Sequence, residues 1–413
     1  MRIPFLTASL LPVALCSASC GGAESGNSSS TPAPAGIAPS PTPSPSPTPA
    51  GYATGQPVTL QGNAPFQAAS LGQFAEPWAL ALAPGTRTLF VTERAGTMKF
   101  VDLGTGRVGD VSGLPQVAYG GQGGLGDVAF LPAQSSATLG GRTIYLTWAE
   151  AGDGDTRGAV LGRGTLSCAS ETACRVENLQ VIWRQQPKVT GEGHYSHRIA
   201  FSPDGQHLFL ASGDRQKKTP AQDLTVNLGK VLRLNLDGTP AAGNPFADRG
   251  GVSREIWSYG HRNILGLHFD AQGRLWDLEH GPRGGDELNL VSAGENYGWP
   301  IVSDGDDYDG TPIPDHATRP EFRAAAIGWN PVIAPGDFLF YRGAMFPQWQ
   351  GQALIPGLSS KALVRVSISG ESGREEARHP FPERLRDIVE APDGSLLMIE
   401  DGKDGRLLRL TPR

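Results

Sequence analysis

Neither sign of charge dominates this chain: 35 Lys and Arg face 41 Asp and Glu in 413 residues, a net −6, without an acidic or basic block. A nucleic-acid binder would show a basic stripe, so this distribution argues against one. Long amphipathic helical periods are scarce as well, which excludes an all-α fold and argues against a regular βαβ succession. No P-loop, dinucleotide-binding fingerprint, zinc signature or Ser-His-Asp order occurs. Cysteine is sparse, at 4 residues. Glycine (55) and proline (34) are abundant instead, more than a fifth of the chain. Part of that excess is one low-complexity stretch, and the rest is spread evenly, as a turn-rich β protein requires. The length is enough to bury a large core.

The leader is readable from its first twenty residues. Arg2 precedes the mostly apolar Ile3 to Leu15, and Ser17-Ala18-Ser19-Cys20 follows. So short an apolar stretch predicts a signal peptide over 1–19 rather than a membrane span. The ending resembles a bacterial lipobox, with Cys20 lipidated and the protein facing the periplasm or cell envelope. Plain cleavage after Ala18 or Ser19, giving a secreted protein, is the alternative. Residues 24–50 are almost wholly Ser, Pro, Thr, Gly and Ala, so 20–51 reads as a disordered, semi-rigid tether. Membrane contact is expected only through that N-terminal anchor. Cys16 and Cys20 belong to the leader. Cys168 and Cys174 remain, in a polar stretch without a nearby His or second Cys pair, and in an oxidising compartment they predict a disulfide rather than a metal pair.

From about Tyr52 to the C-terminus, residues 52–413, one phrase recurs: apolar run, turn with Gly, apolar run, then an acidic or Gly-rich exit. It reads Trp78 to Leu82 with Thr88 to Arg94, then Ile199 to Phe201 with Leu208 to Asp214. It returns as Leu267 to Asp270 with Leu275 to Gly281, and as Asp387 to Val389 with Leu396 to Gly402. Turns such as Pro203-Asp204-Gly205 and Pro392-Asp393-Gly394 are hairpin signals with a mechanism. A second strand type recurs at Lys230 to Leu234, Ala362 to Val366 and Arg406 to Leu410. Two strand types alternating over the whole chain predict an all-β, six-bladed β-propeller, at roughly 60 residues per blade. A pair of β-sandwiches is the alternative.

Between the strands lie the candidate functional residues. The loop from Glu279 to Leu290 places Asp286 and Glu287 beside Gly-Pro carbonyls, a donor set that suits calcium as well as a solvated acidic turn. His194 stands in a Gly-flanked loop, Glu192-Gly193-His194-Tyr195, where an imidazole can serve as a general base or simply be solvated.

Several blocks, in order, resemble the quinoprotein glucose/sorbosone dehydrogenases, and most closely their bacterial aldose sugar dehydrogenase branch. They are Glu76 to Leu80, Thr92 to Gly96, Gly121 to Leu125, Tyr259 to Asn263, Glu279 to Pro300, Pro331 to Pro335 and Arg384 to Asp387. The resemblance implies a six-bladed propeller carrying pyrroloquinoline quinone (PQQ) and calcium. It implies oxidation of the C1 hydroxyl of an aldose to the lactone, with electrons passing to an unidentified non-NAD acceptor. By the same resemblance His194 is the catalytic base and Gln122 the substrate-side glutamine near the quinone. Arg262 and Asn263 contact PQQ, and Arg384 and Arg386 hold its carboxylates, Arg386 also polarising its reactive region. Gly281 and Pro282 offer main-chain oxygens to the cofactor's calcium, while Glu287 and Tyr297 ligate a structural one. The chain departs from the family pattern at Ser303-Asp304, at Gly336-Asp337 and at His197, changes that bear on PQQ affinity and substrate choice. A cofactor-free propeller binding carbohydrate or a partner, and a calcium-dependent lactonase-like hydrolase, are the alternative functions. The protein is expected as a monomer or homodimer.

Overall fold

The computed structural model describes residues 51–413; the leader (1–19) and the tether (20–51), except its last residue, lie outside the described residues. Among the described residues every regular element is a β-strand or a short 3₁₀ turn. The strands pair antiparallel in successive sets. Pro77–Leu82, Thr88–Glu93, Thr97–Asp102 and Val108–Ser112 form one set. Leu125–Phe130, Arg142–Ala151, Thr156–Ser170 and Ala173–Arg184 form the next. Ser196–Phe201, His207–Ser212, Lys230–Asn235 and Ile256–Tyr259 follow. Then come Ile264–Phe269, Leu275–Glu279, Asp286–Val291 and Ile327–Trp329, and Leu339–Phe340, Ala353–Pro356, Ala362–Ser369 and Ser372–Pro380.

The last set contributes only Leu385–Glu390, Leu396–Glu400 and Gly405–Pro412, and takes its fourth strand from the other end. Phe66–Phe74 lies along Gly405–Pro412, with Phe66 opposite Pro412 and Phe74 opposite Gly405. The two ends of the described chain are thereby sewn into one sheet. The first two sets also touch edge to edge, Asp110–Ser112 running parallel to Ala173–Arg175. Next to that seam Cys168 and Cys174 face each other across a hairpin and are joined by the predicted disulfide.

Alternation within the second strands explains both the recurring phrase and the packing. In His207–Ser212, Leu208 and Leu210 pack with Tyr145, Leu161 and Trp183 of the preceding set. Phe209 and Ala211 pack with Leu267 and Leu275 of the following one. Leu396–Glu400 does likewise: Leu396 and Met398 meet Leu354 and Leu363, while Leu397 and Ile399 meet Leu80, Leu89 and Val91 of the first set. A strand buried on both faces has no polar side to alternate with, so it reads as an unbroken apolar run. Each set's sheet is therefore wedged between its neighbours, and the last packs on the first.

The first strands of the sets touch in the same circular order, Leu385–Glu390 returning to Pro77–Leu82. Arg198, 3% exposed, stands inside that ring. It donates Nε to Leu265 O (2.6 Å), Nη2 to Gly336 O (2.9 Å) and Nη1 to Asp387 (3.1 Å) and Asp127 (3.5 Å). Asp387 also accepts from Leu80 N (2.8 Å), and the guanidinium lies 4.3 Å over Trp78. One side chain thus ties strands from every part of the ring. Three carboxylates surround that single cation, Asp337 being the third at 3.7 Å. Burial pushes Asp387 well above the usual carboxylate range, its attraction to Arg198 notwithstanding, while Arg198 and His268 hold Asp337 low against burial.

Candidate active site

Gln122, Asn263, His280, Arg384, Arg386 and Asp401 line a cleft of about 260 Å³, floored by Trp78, Tyr195 and His197. These residues come from loops and strand ends that the sequence separates by up to several sets. The cleft is a little below the usual lower bound for small-molecule sites, about 300 Å³.

His194 precedes the lining residues Tyr195, Ser196 and His197 without lining the cleft itself, in a backbone that favours glycine: φ is +50° at His194, +64° at Ser196 and +78° at His197. Such conformations persist only where the surroundings over-determine them. Arg215, wholly buried, supplies that constraint. Its guanidinium donates to Gly193 O (2.8 Å), Arg157 O (2.5 Å) and Gly191 O (2.5 Å) and lies 3.8 Å over the Tyr195 ring. The His194 amide is fixed by Gln122 Oε1 (2.8 Å). The His194 ring places Nδ1 2.7 Å from Asp214 Oδ1, and Asp214 Oδ2 accepts from Trp299 Nε1 (2.8 Å). With Nδ1–H committed to a carboxylate, Nε2 is the nitrogen left to take a proton. Burial lowers the His194 pKa below 6.5, opposed by the Asp214 hydrogen bond. The imidazole is neutral near pH 7 and suited to a base.

His197 is different in kind. It is 2% exposed, stacked on Tyr195 (5.4 Å) and edge-on to Trp78 (5.7 Å), with both ring nitrogens unpartnered. Burial, with Arg215 and Arg198 nearby, pulls its pKa down to about 3. It is a neutral floor tile under the cleft, and the geometry separates it from His194.

Two of the arginines the resemblance points to, Arg384 and Arg386, line this cleft, while Arg262 lines a smaller cavity beside Gly281, Pro282 and Trp299. Asp401 holds both Arg384 (Nε, 2.8 Å) and Arg386 (Nε, 3.0 Å; Nη2, 2.8 Å). One carboxylate between two guanidinium groups leaves a net positive charge and open donor positions. Arg262 lies 5.1 Å over Trp299 and donates to His280 O (3.0 Å) and the Tyr308 hydroxyl (3.1 Å). Its Nε and the Oδ1 of Asn263 are buried without a partner. Buried polar atoms are nearly always satisfied, so this pair marks capacity for a polar ligand. A planar, anionic, carbonyl-bearing group fits a site with forked donors, an indole face and orphaned polar atoms.

The loop at Gly281 and Pro282 is shaped from below. Asp286 accepts from Gly281 N (2.9 Å) and Ala334 N (2.6 Å), so this carboxylate is a brace rather than a ligand. A Cβ on Gly281 would meet Gly284 O and Gly285 O at 2.2 Å, so only glycine allows the approach. Among the described residues neither the Gly281 nor the Pro282 carbonyl accepts a hydrogen bond, which leaves both oxygens to a hard cation. Glu287 and Tyr297 are brought together too, but around the imidazole of His316: Nε2 is 3.1 Å from Tyr297 O and Nδ1 3.7 Å from Glu287 Oε1. With that ring in place the pair does not fit a calcium ion.

Sequence reasoning missed the supporting residues. Asp214, Glu279 and Asp401 are the acidic exits of the recurring phrase, and they do the same job in different sets. Asp214 orients His194 and Asp401 holds the two arginines. Glu279 accepts from the Arg262 amide (2.6 Å) and lies 3.2 Å from His261 Nδ1. With Asp277 it raises His261 to about 9 against burial. The signal was visible as an acidic residue at or within two residues of the end of the second strand: Glu279 at the end, Asp401 one residue beyond and Asp214 two beyond. The departures resolve as well: Asp337 belongs to the Arg198 cluster and His268 (3.0 Å), not to the cleft lining. Asp304 accepts from the His316 amide (3.2 Å).

Known proteins carry the same architecture. The profile of the family described as glucose/sorbosone dehydrogenase matches residues 74–409. The aldose sugar dehydrogenase YliI of Escherichia coli is 36% identical over 346 residues, covering 82% of this chain and 90% of that protein. The apo-form crystal structure of the soluble aldose sugar dehydrogenase from Escherichia coli superposes with a TM-score of 0.76 at 34% identity, covering 84% of this chain and all (100%) of that one. The PQQ-bound aldose sugar dehydrogenase of Streptomyces coelicolor does so with a TM-score of 0.67 at 26% identity, over 83% of this chain and 96% of that one.

Proposed function

The chain belongs to the glucose/sorbosone dehydrogenase family, in its soluble aldose sugar dehydrogenase branch, and from that premise we propose that it is a PQQ- and calcium-dependent dehydrogenase that oxidises the C1 hydroxyl of aldose sugars to lactones. The observation that carries this reading is a neutral, carboxylate-oriented base, His194, adjoining a cleft lined by Arg384, Arg386 and the orphaned Asn263 Oδ1, with the unpartnered Arg262 Nε in the neighbouring cavity beside it. A lactonase has no need of Arg262, Arg384 and Arg386 as a carboxylate cradle.

When bound, the quinone supplies the two-electron acceptor and its calcium the Lewis acid. The chain supplies the rest. Arg384 and Arg386 would hold the quinone's carboxylates, Arg262 and Asn263 would meet its remaining polar groups, and the Gly281 and Pro282 carbonyls would serve as ligands to the metal. Trp78, Tyr195 and His197 form a dry floor. Gln122 borders the sugar side and fixes the His194 amide. Nε2 of His194 removes the proton of the anomeric hydroxyl, and Asp214 stabilises the imidazolium so formed. Electrons leave to an acceptor that the sequence does not name.

The six-bladed count is part of the same proposal, supported by the successive four-stranded sets, the closing Phe66–Phe74 strand and the ring of first strands. So is a periplasm-facing location with Cys20 as lipid anchor, for which the disulfide argues. Cys20→Ser then moves activity from the membrane to the soluble fraction.

The test is to titrate the full chain with PQQ and calcium, follow absorbance, and measure dye-linked turnover of aldoses. Stoichiometric quinone binding with sugar-dependent dye reduction is expected. Quinone binding without turnover removes the sugar substrate. Failure to bind the quinone leaves a carbohydrate- or partner-binding propeller.

A further inference from the structure

Glu287 and Tyr297 are the pair that the family resemblance assigns to a structural calcium. Between them stands a side chain instead. His316 opens a short 3₁₀ turn, His316–Thr318, and is 6% exposed, as is Glu287. Its Nε2 donates to Tyr297 O at 3.1 Å. Its Nδ1 lies 3.7 Å from Glu287 Oε1 and 3.7 Å from Asp304 Oδ1. The His316 amide donates to the same Asp304 oxygen at 3.2 Å.

Calcium needs six to eight oxygens at about 2.3–2.6 Å. An ion reaching both Tyr297 O and the Glu287 carboxylate would have to displace the imidazole and the hydrogen bond it makes. The ring already does what such an ion does here. Nε2 binds a carbonyl on one side, and Nδ1, which makes no hydrogen bond, faces two carboxylates 3.7 Å away on the other, so the ring stands between the Asp286–Val291 strand and the 297–318 loop. Asp304, one of the departures from the family pattern, is the residue that seats the ring. The two unusual features thus form one unit.

We propose that His316 replaces a structural calcium in this protein, so that this junction is held by an imidazole and binds no metal ion. The inference borrows from the family reading only the place where an ion would be expected, and it does not depend on the sugar chemistry.

The experiment counts calcium bound per chain by equilibrium dialysis on the full chain loaded with PQQ and calcium. Wild type, His316→Ala, Glu287→Gln and the double variant are compared, and melting temperature is read in excess calcium and in EGTA. His316→Ala should bind one ion more than wild type, lose it again in the double variant, and gain several degrees more from calcium than wild type does. Glu287→Gln alone should leave the wild-type count unchanged. The proposal is overturned if Glu287→Gln removes an ion from wild type, or if folded His316→Ala gains none. Should His316→Ala not fold, the comparison of wild type with Glu287→Gln decides by itself. A failure of quinone binding would lower every count together and leave these differences intact, so the two readings fail separately.

Discussion

Two arginine clusters lie near each other in this molecule, built from the same residue types and doing opposite things. Arg198 is surrounded by Asp127, Asp337 and Asp387 and by two carbonyls, and it is sealed from water. Arg384 and Arg386 share one carboxylate, Asp401, and face the cleft, where the Asn263 Oδ1 stays unpartnered, as does the Arg262 Nε in the adjoining cavity. In the first cluster carboxylates outnumber the guanidinium and bonding positions are filled, so the arginine is committed to the fold. In the second the guanidinium groups outnumber the carboxylate, so binding capacity remains. Residue type does not separate a strut from a binding group; the ratio of partners does.

The sharpest way to break the comparison is to remove one arginine from each cluster. Arg198→Met leaves three buried carboxylates without their cation. It should cost about 3–5 kcal/mol of stability, the range for breaking a buried ion pair, read as a lower urea midpoint. Arg386→Ala should destabilise clearly less than Arg198→Met, because Arg384 still pairs with Asp401, and should weaken quinone binding, measured by absorbance titration. If Arg386→Ala destabilises as much as Arg198→Met, the distinction fails.

Within the cleft, Asp214→Asn tests whether the base depends on its carboxylate. Both oxygens of Asp214 accept hydrogen bonds, from His194 and from Trp299. An amide has one acceptor oxygen, so Asn must offend one of these partners. We expect kcat to fall about 10²–10⁴-fold with the quinone still bound. In wild type the rate should fall as pH drops through a value below 6.5, because only the neutral imidazole accepts a proton. An acid limb centred above 6.5 would remove His194 from that role.

The smallest effect is expected at His197, the cleft's apolar floor. His197→Phe should change kcat less than about tenfold, because a neutral stacked ring is replaced by another. Its signature lies in stability. The folded-state pKa is about 3 against 6.5 when unfolded. Between those values the unfolded chain binds the extra proton, so stability is full above about 6.5 and declines as pH falls. His197→Phe removes that contribution, and its urea midpoint should drop less between pH 7 and pH 5 than the wild-type midpoint does.

What the sequence determined by itself is whatever depends on local pattern. Apolar runs bounded by Pro-Asp-Gly turns, such as Leu208 to Ala211, can be satisfied only by strands covered on both faces, so the sheet modules were legible. So was the Cys168–Cys174 pair, because a hairpin brings those positions opposite each other. Loop chemistry offered His194 only as a base or a solvated side chain, and the arginines were singled out by the family resemblance alone. Tertiary structure decided everything that depends on partners distant in the chain. It set Phe66–Phe74 beside Gly405–Pro412, and it gave Arg198 its neighbours at Asp127 and Asp387. It turned the acidic exits into positioners of His194, Arg262 and Arg384. It also set His316 between Glu287 and Tyr297, where family likeness alone would have placed an ion. Local pattern fixes which strands form because backbone and burial demands are met nearby, whereas a carboxylate or imidazole acquires its role only from the groups that folding brings to it.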